Sequence, residues 1–180
     1  PYSYSKVEAE KAAWEICNAQ NCWEMVTINP AFVVGPALAP TSSESIKLIG
    51  DLVKGKLRFG VPALYFGYVD VRDVAKAHIL AATTSNAEGR YITVGSCGHF
   101  LEMANALQED FGKQLKLPKT TAPKWLVYLV GPLQGVTREF VQKNVGYKVN
   151  FDNTKIKKEL GMNFRPFKET MVDHVQQVLN

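Results

Sequence analysis

Single strands and helices take turns along this chain, and that alternation constrains its fold more than any other feature. Residues 3–20 read as a helix that Ser3 or Ser5 can cap, with Glu8 and Glu10 near its N-terminal turn and Val7, Ala13, Trp14 and Cys17 at helical spacing. Residues 23–29 read as a buried strand that Pro30 ends, because proline cannot donate to a ladder. Residues 31–36 continue extended, and Thr41 to Ser43 offer caps for a helix through Lys54 that Gly55 stops. A strand over 66–71 leads to Asp73, the expected cap of a helix over 74–82. A strand over 90–94 and a helix over 101–111 follow, then helices near 123–133, 136–145, 152–160 and 167–179. This order predicts an α/β protein with a largely parallel sheet. Only about three strands are legible, against the five or six of a doubly wound sheet. The expected architecture is therefore the second half of such a fold with an α-rich appendage.

Composition excludes several classes. Of 180 residues, 46% are hydrophobic and 21% charged, which fits a packed domain and neither a disordered nor a collagen-like chain. Three cysteines, Cys17, Cys22 and Cys97, are too few and too scattered for a disulfide framework, and free thiols fit a cytoplasmic location. The longest apolar run, Trp125 to Val130, falls far short of a membrane span, so no membrane partner is expected. The net charge of +4 raises nucleic acid as a partner, but the lysines lie in short, spread clusters without interleaved aromatic residues, and solvated faces are the better reading. His78, His99 and His174 lack the spacing of a metal site, and none is expected.

Three short motifs carry chemistry. Tyr2 and Lys6 stand four apart at the start of the first helix, which puts phenol and ammonium on one face. The pair reads either as a helix-start tyrosine beside a solvated lysine or as a proton donor whose phenolate a cation favours. The second motif, Asn29-Pro30-Ala31-Phe32-Val33-Val34-Gly35-Pro36, lies at a strand's carboxyl end, where open α/β sheets bind ligands. The third, Tyr68-Val69-Asp70-Val71-Arg72-Asp73-Val74-Ala75, reads mostly as strand, cap and helix.

In this order and spacing the three motifs resemble the extended short-chain dehydrogenase/reductase superfamily, and within it the branch of dihydroflavonol, cinnamoyl-CoA and aldehyde reductases. The likeness runs on to Phe151-Asp152-Asn153-Thr154-Lys155-Ile156-Lys157-Lys158-Glu159-Leu160-Gly161. It implies a Rossmann-type NAD(P)-binding fold, with 1–36 and 66–95 as Rossmann elements and 37–65 and 96–180 as a mainly substrate-binding region. It implies hydride transfer from NADP (or NAD) to a small-molecule carbonyl substrate. Tyr2 would be the catalytic proton donor, and Lys6 would hold the nicotinamide ribose and favour the phenolate. Pro30 and Val33 would offer backbone contacts to the nicotinamide carboxamide, and Ser45 would reach the cofactor phosphates. Phe32, Tyr65 and Tyr68 would wall the substrate site.

The glycine-rich pyrophosphate loop, the family's catalytic Ser/Thr and the residue that chooses NAD or NADP do not occur in these 180 residues. The expectation is a C-terminal fragment lacking roughly 150 residues of nucleotide-binding half, inactive alone. Moving a phenol from a pKa near 10 to near 7 takes about 4 kcal/mol. A charge about 5 Å away supplies roughly 3 kcal/mol at an effective dielectric of about 20, and under 1 kcal/mol in bulk water. The strand at 23–29 would expose an edge, so self-association is expected. Two other readings stay open: a nucleotide-sugar epimerase or hydroxysteroid-type dehydrogenase on the same fold, and a non-catalytic binding or sensing module.

Overall fold

A computed structural model describes residues 2–38 and 43–180. Helix α1 (Tyr2–Asn18) leads into strand β1 (Val26–Pro30), which pairs in parallel with β5 (Gly89–Thr93), Val26 opposite Gly89 and Pro30 opposite Thr93. Pro30 is the last residue of its ladder. Strand β2 (Phe32–Val34) pairs in parallel with β4 (Tyr65–Asp70), and β6 (Ser96–His99) adds antiparallel to the other side of β4. A two-residue parallel ladder joins β3 (Val61–Pro62) to β7 (Thr121–Ala122).

The sequence shows only the longest of these strands. β3, β6 and β7 are two to four residues long, too short for a period-2 pattern, and they exist because a distant partner supplies the ladder. Helix α2 (Glu44–Val53) begins where Ser43 Oγ accepts from the Ile46 N–H at 3.3 Å, and ends at Gly55, whose φ of +68° suits glycine. Thr41 and Ser42, the other candidate caps, lie outside the described residues.

Two expected caps move. Ser3 and Ser5 lie inside α1, and Ser5 Oγ donates back to the Tyr2 carbonyl at 2.8 Å. Helix α3 (Val71–Thr83) is capped by Asp70, not Asp73. Strand β4 runs straight into the helix, so the first carboxylate meets the free N–H groups and Asp73 falls in the first turn. Helix α4 (Phe100–Phe111) has a reciprocal cap: His99 Nδ1 accepts from the Leu101 N–H, and Glu102 accepts from the His99 N–H.

Helices α5 (Lys124–Val130), α6 (Arg138–Asn144), α7 (Thr154–Glu159) and α8 (Phe167–Leu179) complete the chain, with a 3-10 turn at Gly131–Gln134 where Pro132 interrupts the α-helical ladder. The largest core packs α2, α4 and α8 on the β2–β4–β6 sheet, around Ile49, Leu52, Met103, Leu107 and Met171. A second core holds α3 and α7 against β5 through Ala77, Tyr91 and Ile156. Helix α1 is the least covered, with only Cys17 buried. Among the described residues no helix is long and apolar enough to cross a membrane.

Candidate active site

The start of α1 carries the expected pair. Lys6 Nζ stands 5.7 Å from the Tyr2 ring centroid, one helical turn along. Tyr2 is 74% exposed, so water surrounds both groups. Helix α1 is fastened to the sheet further along: Glu10 accepts from Arg90 Nε at 2.6 Å, from Thr27 Oγ1 at 3.3 Å and from Asn29 Nδ2 at 3.2 Å. The Arg90 hydrogen bond is the main cause that holds the Glu10 carboxyl below its ordinary range. Asn29 Oδ1 is buried without a partner among the described residues.

Beyond Pro30 an aromatic hollow of 330 Å³ opens, with Phe32, Tyr65, Phe66, Tyr147 and Phe151 in its wall. Lys143 is its one charged lining residue, and it pairs with Glu139 at 2.6 Å. Gly67 forms part of the floor, because a Cβ there would meet Phe151 Cδ2 at 2.9 Å and Ala31 Cβ at 3.0 Å. Of the three expected wall residues, Phe32 and Tyr65 line this hollow. Tyr68 does not: it is 1% exposed and stacks on Phe167 with ring centroids 4.7 Å apart. Its hydroxyl has no partner among the described residues, and burial, with Glu102 second, pushes the phenol up. Tyr68 shares its face of the sheet with Phe32, its partner across β2–β4, and with Phe66 two residues earlier, but the Phe167 ring packed on it keeps it in the core.

Val33 sits mid-β2 opposite Val69, half-buried. Ser45 sits in the first turn of α2, its Oγ 3.2 Å from Ser43 Oγ. Pro30 is exposed at the end of β1.

Sequence reasoning missed the device beneath this surface. Asp70 accepts from the Arg72 N–H at 2.8 Å, Arg72 Nε at 2.9 Å, Arg72 Nη2 at 2.6 Å and Thr170 Oγ1 at 2.8 Å. Arg72 reaches on to Asp173 at 2.7 Å, and Asp73 holds the Arg165 N–H at 2.7 Å and Nη1 at 2.6 Å. Burial pushes the Asp70 carboxyl up, but the Arg72 and Thr170 hydrogen bonds outweigh it and hold the group below its ordinary range. Asp70 and Asp73, both nearly fully buried, thus rivet α8 and its lead-in to the β4–α3 corner. Helix α8 also grips the second motif: His174 Nδ1 accepts from the Gly35 N–H, and Gln177 exchanges two 2.6 Å hydrogen bonds with the Ala37 backbone. Gly35 has φ +112°, and a Cβ there would meet Asp70 Oδ1 at 3.2 Å. The local signal was two aspartates three apart at a strand–helix corner. Their partners lie about a hundred residues away.

A parallel β1–β5 pair, a tyrosine–lysine pair on the preceding helix and an aromatic hollow just past Pro30 fit a Rossmann-type α/β architecture. The chain belongs to the NAD dependent epimerase/dehydratase family, whose model matches residues 1–95. It is 37% identical to cinnamoyl-CoA reductase CAD2 of Medicago truncatula over 87% of this chain and 48% of that protein. The structure of yeast methylglyoxal/isovaleraldehyde reductase Gre2 complexed with NADPH superposes with a TM-score of 0.71 at 31% identity, over 95% of this chain and 52% of that one. Vestitone reductase from alfalfa (Medicago sativa) gives a TM-score of 0.67 at 27% identity, over 98% and 50%. The chain spans about half the length of the curated relatives it matches.

Proposed function

We propose that these residues form the proton-donating and substrate-facing half of a nicotinamide-dependent reductase acting on aldehydes or ketones, with NADPH as the favoured cofactor. One observation carries the reading. Tyr2 and Lys6 share one face of α1, hydrogen-bonded to no other described side chain, and the following strand ends at an aromatic hollow. The related reductases, one of them complexed with NADPH, support it.

The residues fit the cofactor. A free ammonium and phenol suit a ribose and a developing alkoxide, and the orphaned Asn29 Oδ1 marks polar capacity near the same strand end. The nicotinamide, when bound, supplies the hydride. Lys6 would hold the ribose and favour phenolate, and Tyr2 would give its proton to the substrate oxygen. Pro30 and Val33 would present backbone groups to the carboxamide, and Ser45 would meet the phosphates. Phe32 and Tyr65 would orient an apolar, flat carbonyl compound. In the same reading, 1–36 and 66–95 hold the cofactor side and 37–65 and 96–180 the substrate side, in the cytoplasm. A sugar nucleotide is the poorer fit for the hollow, whose one cation is already paired.

The test is NADPH oxidation by protein from the complete coding frame containing these residues, with cinnamaldehyde-type and small aliphatic aldehydes. Tyr2→Phe should lower kcat about 100-fold or more, with NADPH still bound. Unchanged turnover in that variant would overturn the proposal.

A further inference from the structure

The net charge of +4 is unevenly placed. Segments 52–69 and 111–138 hold eight of the chain's 21 Lys and Arg and none of its 17 Asp and Glu, so the remaining residues are net negative. Every acid that borders these segments is already committed to another cation: Asp51 to Lys56, Asp70 to Arg72, Asp110 to Lys168 and Glu139 to Lys143. The β3–β7 ladder brings the two segments side by side, with Val61 opposite Thr121. The Lys116 stem lies against the turn that ends α2, where a Cβ on Gly55 would stand 3.1 Å from Lys116 Cβ.

Between the segments lies an open hollow of 390 Å³, lined by Arg58, Phe59, Gln108, Lys116, Lys119 and Thr120 among others, with no acidic lining residue. Arg58 holds its guanidinium over the ring of the exposed Phe59, 4.4 Å from the centroid. Three cations around one hollow repel one another, and among the described residues no carboxylate pairs with them. It shares no lining residue with the aromatic hollow, and neither Tyr2 nor Lys6 borders it.

We propose that this hollow binds a small molecule carrying two or more phosphate groups, at a site separate from the Tyr2–Lys6 end of the sheet. A guanidinium fork meets two phosphate oxygens at once, and the two ammonium groups serve as point charges for a second phosphate. Thr120 and Gln108 add neutral donors at the rim, and the Phe59 face is a shelf for an apolar or planar remainder. A lone carboxylate would leave two of the three cations unanswered. The size lies within the roughly 300–1,000 Å³ range of small-ligand sites.

The experiment is calorimetric titration of the 180-residue chain with inorganic pyrophosphate, at low salt and again with added salt. One saturable site that weakens with salt is expected. The triple variant R58A/K116A/K119A should bind roughly tenfold or more weakly, and R58K/K116R/K119R should keep binding. The pair K157A/K158A, which removes two charges on α7, should bind as the unaltered chain does. Circular dichroism checks that each variant keeps its fold. Absence of pyrophosphate binding, or equal binding by the triple alanine variant, would overturn the proposal. A second arm uses vesicles of anionic phospholipid. Co-flotation without binding of soluble pyrophosphate would mean a surface that reads headgroups in a membrane, and would also overturn it.

Discussion

His174 Nδ1 accepts the Gly35 N–H at 3.0 Å across 139 residues of sequence. The bond joins the last helix to the motif that follows β1, and the ring is 1% exposed. An Nδ1 that accepts carries no proton, so the neutral imidazole is the form the fold selects. Burial pushes the His174 pKa below its ordinary value, and Asp70 only partly opposes this.

Stability should therefore fall with acid in a defined window. The unfolded imidazole takes up its proton near pH 6.5, and the folded one only at lower pH. Between these two values the unfolded chain binds more protons, so stability rises with pH there, by at most about 1.4 kcal/mol per pH unit. His174→Leu should flatten that slope and cost about 1–3 kcal/mol at neutral pH, because the Gly35 N–H loses its acceptor. Urea unfolding between pH 5 and 7.5 reads both effects, and an unchanged slope in the variant would contradict the assignment.

Asp70→Asn should be the most damaging single-atom exchange in the chain. The carboxylate is 1% exposed and takes four hydrogen bonds, while Arg72 keeps 34% of its side-chain surface exposed. That partial exposure puts the expected loss near the lower end for a broken buried pair, about 2–4 kcal/mol. In the native chain this stability is present above the unfolded carboxyl's ordinary value of 3.8 and is lost as pH falls through the lowered folded value. Chemical denaturation of the variant, with Thr170→Val as a milder companion, measures it.

Gly67→Ala should narrow the aromatic hollow more than it destabilises the fold. The new methyl would press on the Phe151 ring, which is 44% exposed and free to swing away, and on the fixed Ala31 Cβ. A stability loss of about 1–2 kcal/mol is expected, with KM for bulky aldehydes rising while kcat for small ones holds. Steady-state kinetics on the complete protein separates the two.

The 180-residue chain alone should show no reductase turnover and should self-associate. Tyr2 is largely in water, and among the described residues nothing shields a substrate oxygen beside it from solvent. Among the described residues β1 pairs only with β5, and an open strand edge invites a second one. Sedimentation of the chain at micromolar concentrations should show dimers or larger species, and cofactor oxidation should stay at background. A clean monomer would count against the open edge as an association site.

Glu10→Ala should loosen α1 without unfolding the domain. Glu10 is tied to Arg90, Thr27 and Asn29, whereas most other α1 side chains are exposed. The expected loss is about 1 kcal/mol, typical of a largely exposed pair with added hydrogen bonds. Faster amide exchange confined to α1 would show that this carboxylate is what holds Tyr2 and Lys6 to the sheet.

What the sequence determined by itself is local. Helical periodicity, the stop at Gly55 and the ladder end at Pro30 follow from side chains within a few residues of one another. The same holds for the one-turn spacing of Tyr2 and Lys6. Tertiary structure decided everything that needed a distant partner. Strands β3, β6 and β7 are too short to show a pattern and form only where another strand meets them. Tyr68 lies in the core and not in the expected substrate wall because Phe167, almost a hundred residues on, stacks over it. Asp73 reads locally as the cap of α3, but Asp70 takes that place, and the two carboxylates are met by Arg165 and Thr170 from about a hundred residues away. A buried charge is tolerated only with a partner, and no window of sequence around an aspartate names that partner. Only the folded chain brings the two together.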